Sequence, residues 1–343
     1  MQLKINNYND IIVEWIPYYQ LISIKEIGKG GFATVYLAIW KDGPLNYNKR
    51  EYKRVNAYSI NVNNGILKIY GISQNPDTNN YIIVLEYADG GNFNNYNNYI
   101  SRNYTWNEKL DVLSKIGKGL KIIHENKVVH RDFHTGNILV SIDNSSYYDI
   151  SENHLSNIYI SDMGLCGEVS NIDKTKIYGV MPFVAPEVLR GKPYSQAADV
   201  YSFGMIMYYI ATGRQPFANC AHDSVLALNI CNGIRPEINE QEAPKFYIDL
   251  MKNCWDEDPD KRPSAIEIVK LVNDPFCSDI DEEIKKQIEK AEEYRRTNFL
   301  STRNSQSIHP QACYTSRLLN PYTQDLSKDY TSCTECLDCV IID

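Results

Sequence analysis

Three groups of residues in this chain have the types and the spacing to do chemistry. In the first, His130-Arg131-Asp132 is followed by Asn137, five residues after the aspartate, and then by Asp162-Met163-Gly164. A carboxylate can take a proton from a hydroxyl, and carboxylate and amide oxygens are the hard donors that suit magnesium. Standing alone, the triplet reads as a core histidine beside a surface ion pair. In the second group, Gly28, Gly30 and Gly31 permit backbone to approach a triphosphate closely, with Phe32 capping the loop and Val35 against a base. The competing reading is a tight hairpin turn, and Ala33 stands where a third glycine would. In the third, Cys333, Cys336 and Cys339 have ligand-like spacing and with Cys313 could make a four-thiolate zinc site. We read them instead as reduced thiols in a disordered tail, because structural zinc sites usually pair two knuckles rather than use one triple.

The elements that must carry these residues follow from periodicity. Leu21–Ile27 runs through the glycine turn into a second apolar stretch ending at Ile39. Ile66–Ile72 and Tyr81–Glu86 form another pair, joined by Gln74–Asn80, so the first part of the chain reads as an antiparallel sheet. From about residue 104 the period changes: Trp106, Leu110, Leu113, Ile116, Leu120 and Ile123 recur at intervals of three or four and make one helical stripe. Strands first and helices second is an α+β arrangement with a cleft available between two lobes. Asp279–Arg296 is charged at helical separations and reads as an exposed helix, followed by a polar tail.

Composition narrows the classes. A chain of 343 residues with 43% hydrophobic and 11% aromatic residues can bury a core. A net charge of −8 argues against nucleic acid as the main partner, since that wants a basic surface. No run of apolar residues is long enough to span a membrane, and the start lacks signal-peptide character, which implies a cytoplasmic or nuclear place. Cys166, Cys220, Cys231, Cys254 and Cys277 are scattered rather than spaced as a disulfide framework, so reduced thiols are expected.

The His130-Arg131-Asp132, Asn137 and Asp162-Met163-Gly164 series resembles the catalytic loop and metal-binding motif of the protein kinases. Ala185-Pro186-Glu187, Asp199-Val-Tyr-Ser-Phe203-Gly204, Cys254-Trp255 and Asp258-Pro259-Asp-Lys-Arg262-Pro263 continue the likeness in order, over about residues 18 to 275. The wording of the segments is most similar to the tyrosine-kinase-like group, whose members mostly phosphorylate serine and threonine. The resemblance implies a two-lobed kinase fold, with a small lobe over 18–88, a large lobe over 89–275 and a charged helix and tail over 276–343. It implies ATP and Mg2+ as nucleotide and metal, a protein substrate, and a role in signal transduction. Asp132 matches the carboxylate that orients the attacking hydroxyl, and Asn137 and Asp162 match the magnesium ligands. Gly28, Gly30, Gly31, Phe32 and Val35 match the loop over the phosphates and base, and Leu85, Glu86 and Ala88 match the gatekeeper and hinge. Counterparts of Glu187 and Arg262 form a buried ion pair, and that of Asp199 braces the catalytic loop.

The chain departs from the family pattern at several places. His134 stands where many serine/threonine kinases place a lysine against the γ-phosphate, and Val180 where a threonine hydroxyl often braces the catalytic aspartate. The stretch between Asn137 and Asp162 is long, with Ser141–Asn157 polar enough to be an inserted loop. Lys41–Arg54 is a polar run with no apolar strand ending in lysine, so the small-lobe phosphate lysine and its glutamate partner have no assignable residues. Lys49 and Lys53 are the nearby substitutes; for the partner position Glu51 is a poor candidate, and Arg54 lies nearer the expected place. Two readings follow: a protein kinase of impaired activity, and a pseudokinase that binds nucleotide as a scaffold. A third has the tail recruiting a partner.

Overall fold

A computed structural model of the chain describes residues 13–29, 33–48, 51–54, 65–96, 104–142, 155–162, 167–168, 176–273, 282–298 and 308–323. They fall into two compact units. One takes the chain as far as Asn126 together with Thr135–Gly164 and Ala265–Asp279, and the other holds Lys127–His134, Leu165–Ser264 and the chain from Ile280. Among the described residues no helix is long and apolar enough to cross a membrane.

In the first unit, Leu21–Lys29 and Thr34–Trp40 form the antiparallel hairpin foreseen around the glycines, with Gly28 opposite Val35. Ile69–Gln74 and Tyr81–Leu85 form the second antiparallel pair. The single sheet expected here is two hydrogen-bonded sheets, and Glu14–Trp15 adds a parallel strand to the edge of Ile69–Gln74. Side chains join them: Ile16, Leu21 and Tyr70 are buried together, with Trp40 and Val84 packed against them. The run Lys41–Arg54, read as holding no apolar strand that ends in lysine, contains a polar pair of strands, Leu45–Asn48 with Glu51–Arg54, that forms a sheet of its own. In its backbone register Tyr47 stands opposite Tyr52.

The helix Trp106–Glu125 begins at a capping box in which Thr105 and Glu108 satisfy each other's backbone donors. All six residues of its foreseen apolar stripe are buried. It meets the chain at Gly65 backbone to backbone: Gly65 has φ +68°, and a Cβ on Gly119 would lie 2.6 Å from the Gly65 carbonyl oxygen. That approach lets Gly65 accept from Ile160 N–H and Leu67 donate to the Ile160 carbonyl, at 2.8 and 2.9 Å. The antiparallel hairpin Ile138–Ile142 with Leu155–Ile160 lies on this frame. Its ladder includes Ser141 opposite Asn157 and Ile142 opposite Leu155, so the inserted loop is narrower than its polar composition indicated. Serine and asparagine are accepted in the ladder because backbone pairing does not depend on side-chain polarity.

The second unit is built on the helix Gln196–Thr212, which is buried from Ala198 to Ala211. Ser195 caps its first turn, and Gly213 ends it with φ 69°. Lys245–Cys254 packs along it, with the Tyr247 hydroxyl donating to the Met207 carbonyl at 2.7 Å. In the charged helix Glu282–Thr297 Ala291 is buried and Ile284, Gln287, Ile288, Glu292, Tyr294 and Arg295 are half-buried, and the helix is held to this unit by Gln287, whose Oε1 accepts from Phe246 N–H at 3.0 Å. The tail read as unstructured is ordered over 308–323, where Arg317–Leu318 is a strand and Asn320–Thr323 a helical turn. Of the four tail cysteines only Cys313 belongs to the described residues, so the zinc alternative lies outside them.

Candidate active site

The catalytic loop is held by its backbone. After the strand Val128–Val129, the Asp199 carboxylate accepts the N–H groups of His130 and Arg131 at 2.8 and 3.0 Å, and Arg131 takes φ 71°. A non-glycine residue in the left-handed region is strained, and the two charge-assisted bonds offset that cost. His130 is fully buried, its Nδ1 accepts from Asp132 N–H at 3.3 Å, and its ring lies against Phe133. The core-histidine reading of His130 therefore holds, while the surface ion pair does not: Asp132 is 4% exposed.

The Asp132 carboxylate faces two named partners. His134 Nε2 lies 3.5 Å from its Oδ1, and the Ser316 hydroxyl donates to its Oδ2. Ser316 Oγ is also 3.1 Å from His134 Nε2, so the three groups form a closed triangle. Burial alone would push the Asp132 pKa up. The hydrogen bond and charge of His134, the Ser316 hydroxyl and the charge of His130 outweigh it and hold the carboxyl below its ordinary value of 3.8. The carboxylate is thus ionised throughout the neutral range, as a proton acceptor must be. Val180 is buried at 1% exposure beside it and lines the same small cavity, with Phe133, Phe183 and Tyr194. Val180 offers no polar contact, and the carboxylate meets Ser316 and His134 instead.

Next to this carboxylate runs Tyr178–Gly179. Gly179 has φ +141°, and a Cβ there would sit 2.8 Å from Val184 Cγ2 and 3.6 Å from Asp132 Oδ1. The hydroxyl of half-buried Tyr194 donates to the Tyr178 carbonyl, and Ser202 Oγ donates to the Phe183 carbonyl at 2.7 Å. Glu187 and Arg262 make the buried bidentate pair, with bonds of 2.7 and 2.8 Å, above the Tyr201 ring. These contacts fix the floor of the site.

The remaining candidate residues belong to the other unit. Asn137 closes a short turn immediately before the strand Ile138–Ile142, and Ser161-Asp162 follow its partner strand, whose register sets Ile138 opposite Ile160. Ser161 N–H and Oγ both donate to the Asn137 carbonyl, at 2.8 and 2.9 Å, which ties the two ends of the hairpin together. Asp162 is exposed and takes φ 56°. The hairpin thus carries Asn137 just before its first strand and Asp162 just after its second.

Leu85 ends the strand Tyr81–Leu85 at 43% exposure, and Glu86 N–H donates to the Lys68 carbonyl at 2.8 Å. Burial raises the Glu86 pKa, against the lowering effect of Lys68 and the Tyr159 hydroxyl. Ala88 is buried with Leu67 and Tyr159, and Leu139 packs on them. Val35 is 51% exposed on the glycine hairpin, with open space above the Gly28 Cα. Gly30, Gly31 and Phe32 lie outside the described residues. Sequence reasoning missed Ser316 and Tyr194. A hydroxyl three residues beyond Cys313 carried no motif, and Tyr194 was one tyrosine among 26.

Comparison with known proteins agrees with this geometry. The protein kinase domain family matches residues 21–277. A Dictyostelium discoideum protein named a probable serine/threonine-protein kinase is 30% identical over 290 residues, which cover 79% of this chain and 20% of that protein. A protein of Acanthamoeba polyphaga mimivirus named a serine/threonine-protein kinase/receptor is 31% identical over 282 residues, covering 76% of this chain and 16% of its own length. The chain spans a fifth or less of these relatives. With the family matched across most of the chain, and with the Asp199-braced loop and the Glu187–Arg262 pair in place, the chain belongs to the protein kinase domain family.

Proposed function

We propose that this kinase domain transfers the γ-phosphoryl group of ATP to serine and threonine hydroxyls of proteins. Asp132 receives the acceptor hydroxyl, orients it and takes its proton, and His134 is the second group on the acceptor side. Asn137 and Asp162 hold Mg2+: an amide and a carboxylate at the two ends of one hairpin supply the hard oxygen donors this ion takes. When bound, the ion neutralises charge on the phosphates. Gly28, Gly30, Gly31, Phe32 and Val35 cover the nucleotide, and Leu85, Glu86 and Ala88 line its adenine edge. The observation that carries this reading is the buried, ionised Asp132 with a serine hydroxyl bonded to it, on a loop whose backbone Asp199 holds.

Two features favour a second reading, a nucleotide-binding scaffold that transfers little or no phosphate. No lysine stands at the expected small-lobe position, and Val180 offers no hydroxyl to the catalytic carboxylate. Loss of one preorganised electrostatic group costs on the order of 10²–10³ in rate. One assay separates the two. Purified chain with Mg-ATP and a protein acceptor should transfer phosphate slowly, and Asp132→Asn should abolish that transfer while the protein still unfolds in one cooperative urea transition. Undiminished transfer by Asp132→Asn would overturn the assignment of the base, and nucleotide binding without any transfer by the wild type would establish the scaffold.

A further inference from the structure

The segment 308–323 is attached to the acceptor side of the site at many points. Arg317 and Leu318 pair antiparallel with Gly179 and Tyr178, Leu319 N–H donates to the Ile177 carbonyl, and Asn320 Oδ1 accepts from Ile177 N–H, the last two bonds at 2.7 Å. Leu319 is fully buried. Upstream, the Tyr314 hydroxyl donates to the Pro216 carbonyl at 2.8 Å, its ring stands edge-on to His222, and Cys313 N–H donates to His222 Nδ1 at 3.1 Å.

Three consecutive hydroxyls lie in this segment, and they point to different places. Tyr314 is bound to Pro216, and Thr315 Oγ1 lies 3.2 Å from Cys313 Sγ. Only Ser316 of the three meets the Asp132 carboxylate, with His134 Nε2 as its second neighbour. A strand added beside Tyr178–Gly179 with its hydroxyl on the catalytic carboxylate is how an acceptor peptide would have to lie: backbone pairing sets the register, and one side chain is presented for reaction.

We propose that 308–323 is an intramolecular substrate of this domain and that Ser316 is its phosphoacceptor, an inference that rests on the kinase reading above. Ser316 Oγ attacks the γ-phosphorus of ATP. The new O–P bond forms as the bond to the bridging oxygen breaks, that electron pair leaves with ADP, and the hydroxyl proton passes to Asp132 Oδ2 and on to solvent. The product carries a charge of about −1.5 to −2 beside a buried carboxylate, and like charges at that distance repel. Phosphorylation therefore drives the segment out of the site. The segment is at once the first substrate and the plug that keeps others out.

The test uses the full chain, freed of phosphate and incubated with Mg-ATP and casein as an outside acceptor. Peptide mapping is expected to find phosphate on Ser316 and not on Tyr314 or Thr315, at a rate per molecule unchanged by dilution. Ser316→Ala should remove that phosphate, and Ser316→Glu should raise transfer to casein about tenfold or more, the effect of a like-charge cost above 1.4 kcal/mol. Transfer to casein with no phosphate on Ser316 would overturn the inference and leave the kinase reading intact. A rate that rises with protein concentration would overturn the intramolecular assignment. No transfer to either acceptor, by wild type or Ser316→Glu, would sink both.

Discussion

At the scale of single residues, the site depends on charges that are buried only because they are paired. Arg262 bonds both Glu187 oxygens and also donates to the Asp256 and Ala197 carbonyls, and the two side chains are 0% and 7% exposed. Removing one partner strands the other in a medium of low dielectric, which costs about 3–5 kcal/mol, whereas replacing both with apolar groups costs far less. Arg262→Ala is therefore expected to lower stability to urea by that amount, and the double replacement Arg262→Met with Glu187→Leu to recover most of it. Equal losses in the single and double variants would show that the pair contributes nothing beyond its volume. Asp199, Glu187 and Arg262 were legible in the sequence because each sits inside a run of fixed spacing. Ser316 was not, because its role is set by a partner 184 positions away and no local pattern encodes that.

At the scale of elements, legibility followed length. The helix Trp106–Glu125 has 20 residues of apolar period and was placed to within two residues of its start. The strands Glu14–Trp15 and Arg317–Leu318 have two residues each and no period to detect. The hairpin Leu45–Arg54 was hidden by its polar composition.

The seat of 308–323 carries a pH dependence of its own. Burial lowers the His222 pKa from its ordinary 6.5, and the nearby Arg317 adds to this, while contacts with the backbone of Cys313 and Phe217 and the charge of Asp223 oppose it. A released segment exposes His222, which then binds a proton that the seated form excludes. The stabilisation is thus fully present above pH 6.5 and is lost as pH falls through the lowered value. The protection factors of the amides at 313–319, with the intrinsic exchange rate divided out, should be high at about pH 8 and fall towards about pH 5. Protection that is flat across that range would remove His222 from the seat.

At the scale of the whole molecule, residues 282–298 and 308–323 belong to the second compact unit. Ending the chain at 307 uncovers the surface against which Leu319 is fully buried, and ending it at 276 also removes the Gln287 bond to Phe246. Burying one leucine is worth about 1.5–3 kcal/mol. The shorter chains should unfold cooperatively but at lower urea, with the 276 form the less stable, and a midpoint equal to that of the full chain would show the packing to be incidental. The relatives it matches are several times longer than this chain.

Because Ser316 reaches Asp132 on the same polypeptide, its local concentration at the site is fixed by the tether and does not fall on dilution. For short flexible connections such values are of millimolar order. A free protein acceptor at micromolar concentration competes against that standing occupant, and its apparent affinity is reduced by the fraction of time the seat is vacant. A weak measured affinity for outside proteins would then report the occupancy of the seat by this chain's own serine more than the quality of the surface beneath it.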